Sequence, residues 1–147
     1  VKLKLNPTKT LVKNKSIVLV DDSLVRGTTC HKIVKMLYDA GAKEIHVRIA
    51  CPEILYPDFY GVDMPTKKEL LASGKNNKEM CNHINAKTLK FLSLEGLYRA
   101  LGFTKRDNLC PQLSDHYFTG EYPVKPTDAL GEGKIIQLSL LSSKSNN

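Results

Sequence analysis

The sequence predicts an α/β fold built on a partial doubly wound parallel sheet. Three observations predict it: an unbroken apolar run at 17–20, a helical period starting at Thr28, and alternating apolar residues at 45–49. All three fall within about 35 residues, the length of one βαβ unit, whose strands are parallel and whose crossover is right-handed.

The elements follow in order. Asn14 and Lys15 precede Ile17, Val18, Leu19 and Val20, and a run this short, β-branched and flanked by polar residues predicts a strand buried on both faces. From Thr28 the period changes, with Ile33, Val34, Leu37 and Ala40 recurring every three or four positions until Gly41 stops a helix of about three turns. The stretch "EIHVRIA" then turns Ile45, Val47 and Ile49 to one face and His46 and Arg48 to the other, a second strand.

Residues 51–65, rich in Pro and aromatics, predict an ordered loop anchored by Tyr56, Phe59 and Tyr60, with Asp63 turning into the next element. Thr66 and Glu69 form a capping box for a short helix through Ala72, closed by Gly74. A helix over 78–85, a third strand in "TLKFLS" and a helix in "LEGLYRAL" follow, the last grouping Leu94, Leu97, Tyr98 and Leu101 on one face. Residues 104–131 are polar and turn-rich, "KIIQLSLL" is a candidate last strand, and "SSKSNN" is expected to fray. Three or four strands are few for a doubly wound sheet, so a strand edge is expected to stand open.

Composition excludes several classes. At 147 residues, with 41% hydrophobic and 25% charged residues, the chain has the material for one folded core. The excess of 22 Lys+Arg over 15 Asp+Glu favours anionic partners, but the cations form no block and do not alternate with aromatics, so nucleic acid is not expected. Cys30, Cys51, Cys81 and Cys110 form no Cys-x-x-Cys pair, which predicts reduced thiols rather than a zinc or redox motif. No apolar run reaches membrane-spanning length and no signal-type apolar region opens the sequence, so a cytoplasmic protein is expected.

The chemistry concentrates in "IVLVDDSLVRGTT", residues 17–29. Asp21 and Asp22 sit where the first strand ends and a helix is about to start, the position at which parallel sheets bind ligands. Beyond them Gly27 permits close backbone approach, and Ser23, Thr28 and Thr29 place hydroxyls beside the free amides of a helix N-terminus, an anion site that suits phosphate. Phosphate would repel the two carboxylates, so they need another part of the ligand. Ribose hydroxyls donate to carboxylates, and Mg²⁺ would screen the pair, so a 5-phosphorylated ribose satisfies both halves of the loop. A plain helix cap with a spare surface carboxylate is the competing reading.

An apolar strand, Asp-Asp, a Ser/Thr and Gly loop and a helix, as in "VLVDDSLVRGTT", resembles the phosphoribosyl pyrophosphate (PRPP) motif of the type I phosphoribosyltransferases. With "KLNP" at 4–7, "FYGVDMPTKKELLA", "LSLEGL" and "FTGEYPV", the chain is similar to the glutamine-dependent amidotransferase branch of that family over residues 1 to about 124. The resemblance implies a partial phosphoribosyltransferase domain at 1–103, without its first strands, and a carboxyl-terminal extension at 104–147. It implies that Asp21 and Asp22 contact the ribose hydroxyls and Mg²⁺, while Ser23, Leu24, Val25, Arg26, Gly27, Thr28 and Thr29 cradle the 5-phosphate. No catalytic residue is assigned, and His31 is expected to be solvated or to cap rather than to meet ligand.

In that branch, ammonia released from glutamine displaces pyrophosphate from C1 of PRPP to give phosphoribosylamine for purine synthesis. The resemblance places the glutaminase domain, the pyrophosphate loop and a mobile loop outside this stretch, so a complementary amino-terminal polypeptide and a homo-oligomer are the implied protein partners. Some members carry an iron–sulfur cluster near the positions of Asp58, Ser114 and Tyr117; none is cysteine, so no cluster is expected. A non-catalytic PRPP- or nucleotide-binding module and an inactive remnant are the other functional readings.

Overall fold

A computed structural model describes residues 6–60 and 66–124. A short helix α1 (Lys9–Val12) leads into β1 (Ser16–Asp21), α2 (Thr28–Asp39) and β2 (Glu44–Ile49). Two 3₁₀ turns (Lys67–Glu69 and Leu71–Ser73) then precede α3 (Asn77–His83), β3 (Thr88–Phe91), α4 (Leu94–Ala100) and α5 (His116–Thr119). The three strands form one parallel sheet in the order β1-β2-β3, with Leu19 opposite Val47 and Val47 opposite Leu89. The predicted βαβ unit is therefore present, and the α/β class with it.

Period-2 alternation decides what the sheet buries. Ile45, Val47, Ile49 and Leu89 point to one face, where Val34 of α2, Leu71, and Met80 and Ile84 at α3 complete the core. Asn76 caps α3, its side chain accepting from Glu79 N at 3.0 Å while Glu79 reaches back to Asn76 N at 2.8 Å. The opposite face carries Val18 and Val20 of β1 beside His46 and Arg48 of β2.

The structure corrects four expectations. β1 is not buried on both faces, since Val18 and Val20 are 61% and 68% exposed; the described helices that pack on the sheet cover one side of it. The helix expected from Thr66 through Ala72 is two 3₁₀ turns, broken where Leu70 adopts an extended backbone. Leu70, Leu71 and Ala72 are all buried, and meeting the core there takes precedence over helical continuity. Leu101 is exposed while Tyr98 carries the buried face of α4, because α4 ends at Ala100 and Gly102 turns the chain with φ +88°. "TLKFLS" is strand only to Phe91, after which Ser93 caps α4 by accepting from Gly96 N at 3.0 Å. The candidate strand in "KIIQLSLL" and the turn at Asp63 lie outside the described residues.

Residues 104–124 pack back onto the unit through charge. Arg106 Nε and Nη2 hold Asp115 Oδ2 and Oδ1 at 2.6 and 3.2 Å, and Nη2 reaches Glu121 Oε2 at 2.5 Å. Tyr98 of α4 donates to the same Asp115 at 2.8 Å. A second tie joins Leu55 and Tyr56 to the segment, both amides donating to Tyr117 O.

Candidate phosphoribosyl loop

The loop is assembled where β1 stops. Asp21 O still accepts from Ala50 N at 2.9 Å, so the sheet holds the first carboxylate's backbone in place. Asp21 Oδ1 accepts from Asp22 N at 3.1 Å, and Asp22 Oδ1 accepts from Ser23 Oγ at 3.1 Å. Each carboxylate keeps oxygens beyond these local bonds. Leu24 then plugs into the core, pinning the loop at its midpoint.

Past that anchor the chain rests on the 3₁₀ turns. Val25 O accepts from Leu71 N at 2.8 Å, and Arg26 Nε pairs with Glu69 Oε1 at 3.3 Å. Gly27 is buried with φ +75°, and a Cβ there would lie 2.9 Å from Leu71 Cδ2 and 3.2 Å from the His83 ring. Only glycine turns the backbone this way against so close a floor. Gly27 O accepts from His31 N at 2.8 Å, opening α2, and the exposed Thr28 and Thr29 flank the helix's unpaired first amides.

The nine predicted residues thus form one continuous turn at the carboxyl end of β1. His31 sits apart from it in function: its Nδ1 lies 3.0 Å from His83 O and caps the end of α3. Two surface cavities, of about 490 and about 370 Å³, open beside Arg99 and Lys105 and beside Leu55 and Phe91. Neither of these two is lined by a residue of 21–29.

The hard oxygen donors of Asp21 and Asp22 fit Mg²⁺, which is commonly held by one or two carboxylates with substrate and water oxygens completing the shell. No group of three or more His, Cys, Asp or Glu able to hold a metal occurs among the described residues. A cation here would therefore depend on the ligand for most of its coordination.

Under the loop, burial and then the Asp21 charge push the Cys30 thiol up to about 11. Its folded value lies above the ordinary 9.0, so its contribution to stability is complete below about pH 9 and is lost as pH rises toward 11. All four cysteines are free, with Cys30 buried and Cys110 exposed. Iodoacetamide at pH 8 is expected to label Cys110 at once and Cys30 only after denaturation, read by peptide mass mapping; prompt labelling of Cys30 in the folded chain contradicts the burial.

Asp58, Ser114 and Tyr117 converge, although far apart in sequence. His116 Nε2 lies 2.7 Å from Asp58 Oδ1, and its Nδ1 lies 3.4 Å from Ser114 Oγ. Tyr117 stacks on the His116 ring at 4.0 Å, and Tyr60 meets its edge at 5.2 Å. Phe59 and Tyr60 anchor their loop as expected, but from half-exposed positions against Tyr122 rather than from the core. Sequence reading missed Glu69, Leu71 and the His116 and Arg106 pairs. Only the capping box hinted at Glu69, whose Oε2 accepts from Thr66 N at 3.2 Å.

The three-stranded parallel sheet, whose first described strand ends in an acidic pair, a glycine turn and a helix N-terminus, matches part of the phosphoribosyltransferase fold. Comparison with known proteins specifies it further. The chain is 49% identical over 144 residues, 97% of its length, to the amidophosphoribosyltransferase of Rhizobium etli, and 50% identical over 125 residues to that of Methanocaldococcus jannaschii. It covers 29% and 25% of those two proteins. No family model matches. The solved glutamine PRPP amidotransferase from B. subtilis, complexed with ADP and GMP, superposes with a TM-score of 0.70 at 48% identity. That match takes in 78% of this chain and 25% of the other. In sequence and in fold the chain corresponds to a fragment of amidophosphoribosyltransferase.

Proposed function

We propose that residues 21–29 bind the phosphoribosyl group of PRPP with Mg²⁺, and that the chain contributes this site to the transfer of glutamine-derived ammonia onto PRPP. One observation carries the reading: Asp21 and Asp22 stand side by side at a strand end, directly before a glycine turn whose amides open a twelve-residue helix. The two halves complement two parts of one ligand.

The 5-phosphate sits against the Thr28 and Thr29 amides and hydroxyls and near Arg26, where the helix dipole favours negative charge. Asp21 and Asp22 accept from the 2- and 3-hydroxyls and so fix the ribose, which orients C1 for displacement of pyrophosphate. Asp21 and Asp22 would hold Mg²⁺, which would screen their charge and that of the departing pyrophosphate. Positive charge develops on the ring as pyrophosphate departs, and two carboxylates held by the sheet end stabilise it without moving.

The chain spans only 29% and 25% of the two relatives named above, and the open surface of β1 suits a complementary chain. Val18 and Val20 face outward from a strand that pairs on one side only among the described residues. Strand addition and helix cover from a complementary polypeptide, or a second copy, answer that edge. No described helix is long and apolar enough to cross a membrane. Four free thiols and a sugar-phosphate ligand suit a cytoplasmic setting.

Titration of the chain with PRPP and Mg²⁺, beside an Asp21→Asn, Asp22→Asn variant, tests the site. Two or three charge-assisted hydrogen bonds of about 1.5–3 kcal/mol each predict millimolar affinity for the loop by itself. Saturable binding lost in the variant is the expected result. Equal binding by both proteins, or sub-micromolar affinity, is incompatible with the assignment.

A further inference from the structure

We propose that Glu69 is a positioning residue for the phosphate site: it holds Arg26 by the Nε edge, leaving the two terminal nitrogens of the guanidinium for the anion the loop takes up. This rests on the reading of residues 21–29 as a phosphoribosyl loop. It adds a residue that lies over forty positions away in sequence, on a separate element.

Arg26 is the one cationic side chain in the loop. A free arginine carries substantial rotamer entropy, and ordering it for an anion takes that from the binding energy. Glu69 gives Arg26 a partner before any anion arrives. Glu69 Oε1 lies 3.3 Å from Arg26 Nε. Its Oε2 accepts from Thr66 N at 3.2 Å and from Thr66 Oγ1 at 3.3 Å, so the carboxylate is itself held.

The spacing between the two elements is fixed on either side of the pair. Leu71 N donates to Val25 O, one residue before Arg26, and Gly27 packs on the Leu71 side chain, one residue after it. Leu71 and Leu24 both belong to the core, so the turn that carries Glu69 and the loop that carries Arg26 stand on one floor. A guanidinium drawn to a carboxylate on its Nε side keeps its terminal nitrogens, whose parallel donors match a phosphate.

Stability does not explain the pair. Both side chains are about half exposed, and exposed pairs contribute little. Nor does competition for the cation explain it, since Glu69 engages Nε and the phosphate-matching edge stays open.

The test uses the full chain with Mg²⁺ and PRPP, followed by amide chemical shifts at Gly27 and Thr28, and with thermal melting as the control for folding. Glu69→Ala is expected to weaken PRPP binding about 3- to 10-fold while leaving the melting temperature within about 2 °C. Glu69→Gln, which keeps the size of the side chain but removes the charge that draws Arg26, is expected to lose about as much as Glu69→Ala. In an Arg26→Ala background, Glu69→Ala is expected to add nothing, because its effect runs through that arginine. PRPP affinity unchanged or raised in Glu69→Ala, or a loss that persists without Arg26, overturns the proposal while the loop assignment stands. Binding that is indifferent to Asp21→Asn, Asp22→Asn, or absent in the parent chain, removes the loop assignment and the proposal together.

Discussion

Replacing Arg106 with alanine is expected to destabilise the folded chain by about 3–5 kcal/mol, enough to release the segment that ends the described structure. The guanidinium is 11% exposed, and Asp115, which it grips with two nitrogens, is 1% exposed. Removing the arginine leaves a carboxylate inside the protein with only the Tyr98 hydroxyl at 2.8 Å and the Thr119 hydroxyl at 3.3 Å. Hydroxyls do not neutralise a buried charge. Glu121 loses its partner at the same time, although its exposure lets water replace that contact.

The pH dependence gives this prediction a second reading. Burial acts to raise the Asp115 pKa, and the hydrogen bonds from Arg106 and then Tyr98 outweigh it, leaving the group below its ordinary 3.8. A carboxyl lowered on folding contributes stability that is present above about pH 4 and is lost as pH falls through the lowered value. The gap between the parent and Arg106→Ala should therefore be widest near neutrality and narrow as pH falls through the lowered Asp115 value. Urea unfolding at pH 7 and at pH 3 measures the gap. A difference of under about 1 kcal/mol at pH 7 would show that the pair is not the clamp described here. Arg106→Lys keeps the charge but gives up the fork, and an intermediate loss is expected.

The second large effect is expected at Gly27. Alanine there must hold φ near +75°, which costs an L-residue about 1–2 kcal/mol, and its Cβ meets Leu71 Cδ2 at 2.9 Å and Ile84 Cγ2 at 3.4 Å. The nearest atom belongs to a side chain that can shift, so the destabilisation should stay near 2–3 kcal/mol rather than prevent folding. Binding should suffer more than stability. Gly27 starts α2 and places the Thr28 and Thr29 amides, and relief of the clash lifts the turn away from the sheet end where Asp21 and Asp22 are held. A loss of more than about 10-fold in PRPP binding is expected in a chain that still melts cooperatively.

Gly74→Ala supplies the comparison, because nothing lies within 4 Å of a Cβ at that position. It should leave both binding and stability unchanged. If Gly27→Ala proves as neutral as Gly74→Ala, the close approach of loop to floor is not what shapes the site.

Much of the site was legible from local signals. The apolar run at 17–20, the acidic pair and the Gly-Thr-Thr turn specify a strand end, a loop and a helix start within thirteen residues, and the structure places all of them in that order. The caps at Asn76 and Ser93 are equally local, reaching no farther than one helical turn, although the sequence reading named only the Thr66 and Glu69 box. The floor beneath the loop was not legible. Leu71, Ile84 and His83 meet Gly27 across more than forty residues, and nothing in their spacing announces the meeting.

The sequence by itself therefore determined the βαβ unit, the later α3, β3 and α4, and where the carboxylates and hydroxyls of the loop stand, but not the short helices α1 and α5 or the break at Leu70. Periodicity, caps and a glycine act within a few residues, and neighbours along the chain suffice to set them. Only the tertiary structure decided that Val18 and Val20 face outward, that Glu69 meets Arg26, that Asp58 finds His116 and that Arg106 closes on Asp115. Each of these is a contact between elements, and which charges meet is settled by how the helices and turns pack onto one face of the sheet, where burial without a partner costs several kilocalories per mole.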